Sequence, residues 1–166
     1  MVIMKITQKG VIMNRNYKYS ESSEKFISTL TEPLQEICRE GLVIANTRKL
    51  FCPDLSIVRG FETASGQFEL FKKGREFVNG GWIIKGETVT NCDGYKVISD
   101  HQLTDINGLA FAFDFAAWIN GTNYEAGNMA LIATCFFEAA SNQGRVIDWG
   151  GNYRSLSDGS HISLIV

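Results

Sequence analysis

The segment from Gly108 to Ile119, Gly-Leu-Ala-Phe-Ala-Phe-Asp-Phe-Ala-Ala-Trp-Ile, constrains this chain more than any other part of the sequence. Ten apolar residues surround one carboxylate, that of Asp114. An ionised carboxylate in such surroundings must be paired with a cation, neutralised or bound to a metal. No lysine or arginine lies within ten residues of Asp114 on either side. The segment therefore predicts a buried strand whose acid has a partner from elsewhere in the chain.

The chain has two histidines, His101 before this segment and His161 after it. Together with Asp114 they offer two imidazoles and one carboxylate. Catalytic zinc uses such a donor set and keeps one coordination position open for water. A simpler alternative is that Asp114 caps a turn at the end of a buried strand and that both histidines are incidental. We favour the metal site because a buried carboxylate requires a partner.

Length, charge and hydropathy limit the class of protein. With 166 residues, of which 45% are hydrophobic, the chain suffices for one globular domain with its own core. The formal charge is −2, from 16 basic and 18 acidic residues without a long run of either sign. This balance argues against a nucleic-acid surface or a polybasic membrane patch. The apolar runs are too short for a membrane span. We expect a monomer that binds no nucleic acid and has no membrane span.

The four cysteines, Cys38, Cys52, Cys92 and Cys135, form no C-x-x-C pair. The first residues of the chain turn polar too soon for a secretory signal, which predicts cytoplasmic synthesis. We therefore expect reduced, mostly buried thiols, with Cys135 on the inward face of a helix. A nucleophilic Cys92 beside a histidine is an alternative to the metal site, although its neighbours in the sequence do not support it.

The sequence predicts an N-terminal arm of unassigned structure over residues 1–20 and a single domain over residues 21–166. Cap candidates at Ser20 to Ser23 precede a first helix, and Thr31 precedes a second helix whose end Gly41 weakens.

The middle of the chain alternates between regular patterns and a glycine-bearing region. Residues 54–61 predict a strand, followed by a helix that Gly74 ends. Residues 75–94 are interpreted as a long loop, of the kind that is usually functional. Short strands within 88–98, on either side of Asp93-Gly94, predict a hairpin that leads to His101.

After the apolar segment, Asn128 is predicted to cap the clearest helix of the sequence, which Gly144 ends. Residues 146–149 predict a strand, and a short final strand follows the turn that contains His161. The buried stripe of the helix is predicted to contain Met129, Ile132, Ala133, Phe136, Phe137 and Ala140.

Asp158 precedes His161 by three residues across a Gly-Ser turn. A carboxylate at this spacing can lie close to a metal without binding it, which is the position of a general base that activates water. The D-x-x-H motif occurs by chance in many surface turns. It supports a catalytic role only in combination with the other candidate residues.

In several motifs the chain resembles the zinc D-alanyl-D-alanine carboxypeptidases and L-alanyl-D-glutamate endopeptidases, of the VanY-like and phage endolysin types. The motifs occur in the order of that family over roughly the last two-thirds of the chain, which makes them jointly specific. The motifs are Ile57 to Thr63, Gln67 with Lys73-Gly74, Val89-Thr90, Ser99-Asp-His101, Ala112 to Trp118, Trp149 to Tyr153 and Asp158 to His161.

The resemblance implies that Zn²⁺ binds to His101, Asp114 and His161 and that Asp158 is the catalytic base. It implies hydrolysis of a peptide bond in the peptidoglycan stem peptide, with Zn²⁺ polarising the carbonyl and Asp158 passing a proton from water to the leaving amine. It also implies an α+β fold with a small, mostly antiparallel sheet and helices packed on one face, as in Hedgehog-like and D,D-peptidase-like domains. Side chains implied to support the site are Ser99, Trp118 and Trp149.

The chain departs from the family pattern at two places. His101 and Asp114 are thirteen residues apart, which is longer than the His-x-x-Gly-x-Ala-x-Asp spacing of the family. The position of the family's strand-end arginine holds Glu62, where a negative charge would oppose a developing oxyanion. Arg59, three residues earlier, is the candidate to replace that arginine as a catalytic cation.

Two functions follow from these features. The first is a zinc peptidase that cleaves peptidoglycan, such as a phage lysin that is made in the cytoplasm and reaches the wall through a holin-made hole. The second is a catalytically impaired, metal-stabilised relative that binds the cell wall or belongs to a phage particle. Asp158 beside the ligands favours the first function, whereas Glu62 and the long ligand spacing favour the second.

Overall fold

Four helices and seven strands follow one another along residues 16–154 and 158–166, the parts of the chain that the computed structural model describes. The helices are α1 (Glu21–Ile27), α2 (Glu32–Thr47), α3 (Ala64–Lys72) and α4 (Ala126–Asn142). The strands are β1 (Asp54–Arg59), β2 (Arg75–Val78), β3 (Gly81–Ile84), β4 (Ala112–Trp118), β5 (Thr122–Asn123), β6 (Ile147–Trp149) and β7 (His161–Leu164). The predicted α+β class is confirmed.

The main sheet has the strand order β1-β4-β7-β6, and β5 pairs with the end of β4. All of these pairs are antiparallel, as predicted. The apolar segment around Asp114 forms β4, which has a neighbour on each side. The strands β2 and β3 form a separate hairpin.

Side chains alternate between the two faces of β4. Phe113 and Phe115 belong to the apolar core, and each meets Phe136 of α4 edge to face, with ring centroids 5.1 and 5.2 Å apart. Asp114, between them, projects from the opposite face. The helices α1, α2 and α4 supply many of the other core side chains, and the strands β1, β6 and β7 supply further ones. Three helices therefore cover one face of the sheet, as predicted, and the other face carries the polar residues.

Gly41, predicted to weaken the end of the second helix, is a packing position inside α2, which continues to Thr47. A Cβ atom at Gly41 would lie 2.6 Å from the ring of Phe136. The glycine therefore allows α4 to approach α2 closely, and this tertiary contact outweighs the weak helix propensity of glycine.

Residues 16–20, the described part of the predicted arm, pack against the helical layer. The hydroxyl of Tyr17 donates to the carbonyl of Cys52 at 3.0 Å, and that of Tyr19 donates to the carbonyl of Cys38 at 2.8 Å. Ser20 caps α1 as predicted. Residues 1–15 of the arm lie outside the described residues.

The prediction of a loop over residues 75–94 was wrong for its first half. β2 and β3 are joined by Asn79 and Gly80, which have φ of 52° and 84°. Positive φ at both central residues is typical of the type I′ turn that closes two-residue hairpins. The Asn-Gly pair thus carried a hairpin signal that the other glycines of this region obscured.

The hairpin predicted around Asp93-Gly94 does not form. The carboxylate of Asp93 instead accepts the backbone N–H groups of Tyr95, Lys96 and Val97, at 2.9, 2.7 and 2.9 Å. These local side-chain hydrogen bonds replace the ladder that two strands would make. The segment still leads to His101, although as an irregular loop.

The helix α4 begins at Ala126, so the prediction that Asn128 caps it was wrong. The Asn128 side-chain amide donates to Oδ1 of Asn123 at 3.0 Å and stabilises the turn that precedes the helix. Phe137, predicted in the buried stripe, is 37% exposed. The other predicted stripe residues, Met129, Ile132, Ala133, Phe136 and Ala140, are buried, as is Cys135.

Among the helices of residues 16–154 and 158–166, none combines the length and the apolar character that crossing a membrane requires.

Candidate metal centre

The pairing register sets three polar side chains in one row across the sheet. Asp114 of β4 pairs with Arg59 of β1 on one side and with His161 of β7 on the other. Residues that face each other in antiparallel strands project from the same side of the sheet. A guanidinium, a carboxylate and an imidazole therefore lie next to one another on the face that α1, α2 and α4 leave uncovered.

An irregularity in β1 directs Arg59 onto this face. Ile57 pairs with Phe115 and is buried in the core. In a regular strand Arg59 would project on the same side as Ile57, because side chains alternate. The pairing shifts between these two residues, so that Arg59 stands opposite Asp114. Such bulges re-aim side chains, and Arg59 is thereby brought into the candidate site.

His101 enters from a short 3₁₀ turn, Asp100–Gln102, which Ser99 precedes. The Gln102 side chain accepts the backbone N–H of Ser99 at 3.0 Å, and the backbone N–H of Glu62 donates to the His101 carbonyl at 3.0 Å. The first bond closes the turn, and the second fixes it to the chain that follows β1. The predicted supporting residue Ser99 thus helps to hold the turn that carries His101.

The segment before β4 that lengthens the ligand spacing is a closed loop. Asp105 accepts the backbone N–H groups of Asn107 and Leu109, at 2.8 and 2.9 Å. The N–H of Phe111 donates to the carbonyl of Leu103 at 3.1 Å and brings the loop ends together. Since loop length adds only slowly to the entropy of closure, the longer spacing is compatible with an intact site.

The candidate ligand atoms form a nearly equilateral triangle. Oδ1 of Asp114 lies 3.0 Å from Nε2 of His101 and 3.2 Å from Nδ1 of His161, and the two nitrogens are 3.2 Å apart. Bonds of about 2.0–2.2 Å at tetrahedral angles separate zinc ligands by roughly 3.3–3.5 Å. An expansion of a few tenths of an ångström would therefore suffice, and this buried group could hold a metal ion.

The outer nitrogen of each imidazole also meets an oxygen acceptor. Nδ1 of His101 lies 2.8 Å from the carbonyl oxygen of Gly60, and Nε2 of His161 lies 3.3 Å from Oδ2 of Asp100. When these outer nitrogens donate, the inner nitrogens keep their lone pairs for a metal, which is the usual arrangement around metal-binding histidines. The donor set, its burial and its outer partners all fit a divalent cation.

The charges of this cluster stabilise one another. Burial alone would raise the pKa of Asp114, but hydrogen bonds from both histidines hold it well below its usual range. Burial alone would lower the pKa of His161, but hydrogen bonds to Asp100 and Asp114 and the charge of Asp114 raise it to about 9. The metal-free cluster therefore keeps a proton on His161 at neutral pH, and a binding metal would displace it.

Asp114 lies inside β4 and contacts both imidazoles, so the alternative in which it caps a turn does not hold. The alternative with a Cys92 nucleophile is also disfavoured. Burial raises the pKa of the Cys92 thiol, whereas a nucleophilic cysteine requires a lowered pKa.

Asp158 lies beside the ligand group on the turn that precedes β7. Its Oδ1 accepts the hydroxyl of Ser160 at 2.6 Å and the backbone N–H of the same residue at 3.2 Å. Asp158, Asp114 and Arg59 all line one open cleft. Asp158 therefore presents a carboxylate to the cleft next to the candidate ligands.

The Trp149-Gly150 pair fixes the turn that carries Asp158. The indole N–H of Trp149 donates to the carbonyl of Gly159 at 2.9 Å, and the N–H of Asp158 donates to the carbonyl of Gly150 at 2.9 Å. A Cβ atom at Gly150 would collide with the Asp158 carbonyl. Trp149 and Gly150 therefore set the approach of Asp158 to the ligands.

Arg59 is held by polar contacts on three sides. Its Nη2 donates to Oε1 of Gln67 at 2.6 Å, Nη1 lies 3.6 Å from Oδ2 of Asp114, and Nε lies 3.8 Å from Oε2 of Glu62. Glu62 is therefore an ion-pair partner of the candidate catalytic cation.

The cleft has a volume of about 380 Å³ next to Asp114. A contiguous part of about 210 Å³ reaches His101 and His161 and shares Arg59 and Asp158 with it. The walls of the larger part are Arg59, Leu70, Thr88, Val89, Thr90, Asp114, Asp158 and Ser160.

Trp118, predicted as a supporting residue, lies on the same face of β4 as Asp114 but four residues further along and is 52% exposed. Its supporting role stays a prediction. The structure adds two residues that sequence reasoning did not assign to the site. Asp100 contacts His161, and Gln67 is fully buried and links Arg59 to Thr90.

The fold and the ligand group together define a class of α+β domain in which two histidines and one aspartate meet on the open face of an antiparallel sheet. No family model matches the chain. No curated protein matches it in sequence. Among solved structures, the chain is similar to the L-Ala D-Glu endopeptidase ChiX of Serratia marcescens. The TM-score is 0.65 at 20% identity, over 94% of this chain and 96% of that chain. This likeness shows that the two share a D,D-peptidase-like fold.

Proposed function

We propose that this protein is a zinc-dependent peptidase that hydrolyses a peptide bond in the peptidoglycan stem peptide. The observation that carries the proposal is the buried His101, Asp114 and His161 triangle with Asp158 beside it in an open cleft. The sequence motifs and the fold shared with an L-Ala D-Glu endopeptidase support this substrate. We assign the bond between L-alanine and D-glutamate in preference to a D-alanyl-D-alanine bond.

The three ligand residues would hold the ion through Nε2 of His101, Oδ1 of Asp114 and Nδ1 of His161. A divalent cation bound there polarises a carbonyl and lowers the pKa of water. Two imidazoles and one carboxylate suit zinc, which the family resemblance also implies.

Asp158 is the proposed general base. Its carboxylate takes a proton from the attacking water and then delivers that proton to the leaving amine. The hydrogen bonds from Ser160 hold the carboxylate in the cleft, and a positioned base of this kind contributes typically 10²–10⁴-fold to a rate.

Arg59 is the proposed electrostatic group. Its guanidinium lies on the same face as the ligands and lines the cleft, where it can stabilise negative charge that develops on the substrate oxygen. Gln67 positions it through the 2.6 Å hydrogen bond and is itself fixed to the carbonyl of Cys92 at 3.0 Å.

The biological setting that we propose is cell-wall lysis of the phage endolysin type, which rests on the sequence resemblance. In this setting the enzyme acts on the wall after its release from the cytoplasm. A fall in turbidity of cell-wall suspensions on addition of the protein is the result expected.

The first test is hydrolysis of purified peptidoglycan by the zinc-loaded protein, with detection of new amino groups and of fragment masses. We expect amine release that a chelator abolishes and that Asp158→Asn reduces by 10²–10⁴-fold, while the variant retains bound zinc. The fragment masses identify the bond that is cut. Undiminished hydrolysis by Asp158→Asn would remove this residue from the mechanism.

The second candidate function is a catalytically impaired relative that binds the cell wall. One observation favours it, because Glu62 lies 3.8 Å from Arg59 and competes with the substrate for the cation. This second function predicts three results together. The protein binds zinc stoichiometrically, it releases no amines from any wall preparation, and it co-sediments with peptidoglycan.

A further inference from the structure

Glu62 occupies a defined position between Arg59 and the first turn of α3. Its Oε1 accepts the backbone N–H of Thr63 at 2.9 Å, and its Oε2 lies 3.8 Å from Nε of Arg59. The side chains of Glu62 and Arg59 are 26% and 19% exposed, so water screens this pair only in part. The carboxylate is therefore held where it acts on the charge of Arg59.

The electrostatic balance of the cleft is unfavourable to anions. Among the described residues that line it, Arg59 is the one arginine or lysine. Glu62 and Asp114 both flank this guanidinium, and Asp100 and Asp158 line the cleft. A divalent cation on the ligand triangle would not turn this surplus of carboxylates into a net positive charge. A further anion next to Arg59 would therefore meet repulsion.

We propose that Glu62, acting through Arg59, makes the cleft prefer a stem peptide whose glutamyl residue carries an α-carboxamide over one that carries an α-carboxylate. This inference rests on the proposed function. It identifies Glu62 as a specificity-determining residue and explains why the chain has a carboxylate beside its candidate catalytic cation.

The α-carboxyl group of the glutamyl residue is the part of the substrate on which this preference would act. The glutamyl residue of a stem peptide continues the chain through its side-chain carboxyl group, so its α-carboxyl group is free and lies next to the scissile amide nitrogen. This group is an anion as the acid and neutral as the amide. The two forms have almost the same shape, so charge is the main property by which a cleft can distinguish them.

The test compares two synthetic peptides, L-Ala-γ-D-Glu-L-Lys and the same peptide with the glutamyl α-carboxyl group amidated. For each, kcat/KM is measured with the zinc-loaded protein, and the dissociation constant is measured by calorimetry with zinc-loaded Asp158→Asn protein. We expect the wild-type protein to prefer the amide form in both measurements. In Glu62→Gln the ratio of amide to acid should fall by about tenfold, since one charge near Arg59 is removed.

Substitutions of Glu62 distinguish the effect of its charge from the effect of its hydrogen bond. Glu62→Gln keeps an oxygen that accepts the Thr63 N–H, and Glu62→Asp keeps the charge and should retain the amide preference. Glu69→Gln is the matched control, because Glu69 is 67% exposed on α3 and pairs with Lys72. It should leave the ratio unchanged.

The outcomes distinguish this inference from the proposed function. Hydrolysis of neither peptide, by any variant, contradicts the proposed function. Each of three results contradicts the role of Glu62 while the proposed function stands. In the first the two peptides are hydrolysed at equal rates, in the second the acid form is preferred, and in the third the ratio of amide to acid hydrolysis is the same in wild type and Glu62→Gln.

Discussion

At the scale of single residues, the proton on His161 links the ligand group to the stability of the metal-free chain. The pKa of His161 is raised to about 9 in the folded chain, from an ordinary value of 6.5. A raised pKa stabilises the folded state fully below the unfolded pKa, and this stabilisation is lost as the pH rises through the folded pKa. Between pH 6.5 and 9.5 the metal-free protein should therefore lose stability.

The expected loss is about 3 kcal/mol in the free energy of unfolding, measured by urea titration of chelator-treated protein at each pH. Asp100→Asn is the comparison, because Asp100 is one of the hydrogen-bonding partners that raise the pKa of His161. The variant should lose less over the same range, and other titrating groups contribute equally to both proteins. Equal pH dependence in the two proteins would refute the coupling between Asp100 and His161.

At the scale of elements, the packing of α4 on β4 determines how firmly Asp114 is held. Phe136 lies edge to face against Phe113 and Phe115, the two neighbours of Asp114, and closes the space above Gly41. We expect Phe136→Ala to lower the free energy of unfolding by about 3–5 kcal/mol, because it leaves a cavity among rigid partners.

The next residue of α4 provides the control for this prediction. Phe137 is 37% exposed, so Phe137→Ala should cost well under half as much. Denaturant titrations with similar m-values for the two variants would make the comparison valid. Equal losses for the two variants would contradict the packing described for Phe136.

The elements also show which features of the fold can be read from the sequence. β4 and α4 were predictable because their apolar patterns are long and each buries one face. The hairpin of β2 and β3 was missed although Asn79-Gly80 has the chemistry of a tight turn, and the Asp93 segment was assigned strands although a single carboxylate satisfies its backbone.

The residues of the candidate site also fall into those that the sequence predicts and those that it does not. His101, Asp114 and His161 were predictable because a buried carboxylate needs a partner and the chain has two histidines. The role of Asp100 could not be predicted, because its partner His161 is 61 residues away and only the fold brings them together. The orientation of Arg59 depends on a bulge that the alternation in sequence does not reveal.

At the scale of the whole molecule, the ligand triangle joins parts of the chain that are distant in sequence. His101 belongs to a loop, Asp114 to the central strand and His161 to the C-terminal strand, and the two histidines are 60 residues apart. A metal that binds the folded chain and not the unfolded one stabilises it by mass action, by about 2.7 kcal/mol at 100 times the dissociation constant. For a chain of this size, removal of the metal should lower Tm by roughly 5–10 °C.

Thermal unfolding of the zinc-loaded protein, with and without chelator, measures this shift. Asp114→Asn should lose most of the response, because it removes the anionic member of the ligand triangle. Asp158→Asn should keep the response, because Asp158 is assigned to proton transfer and not to metal binding. This pair of variants separates the two aspartates without any assay of activity. If Asp158→Asn also lost the response, Asp158 would be a ligand and the base would have to be sought elsewhere in the cleft.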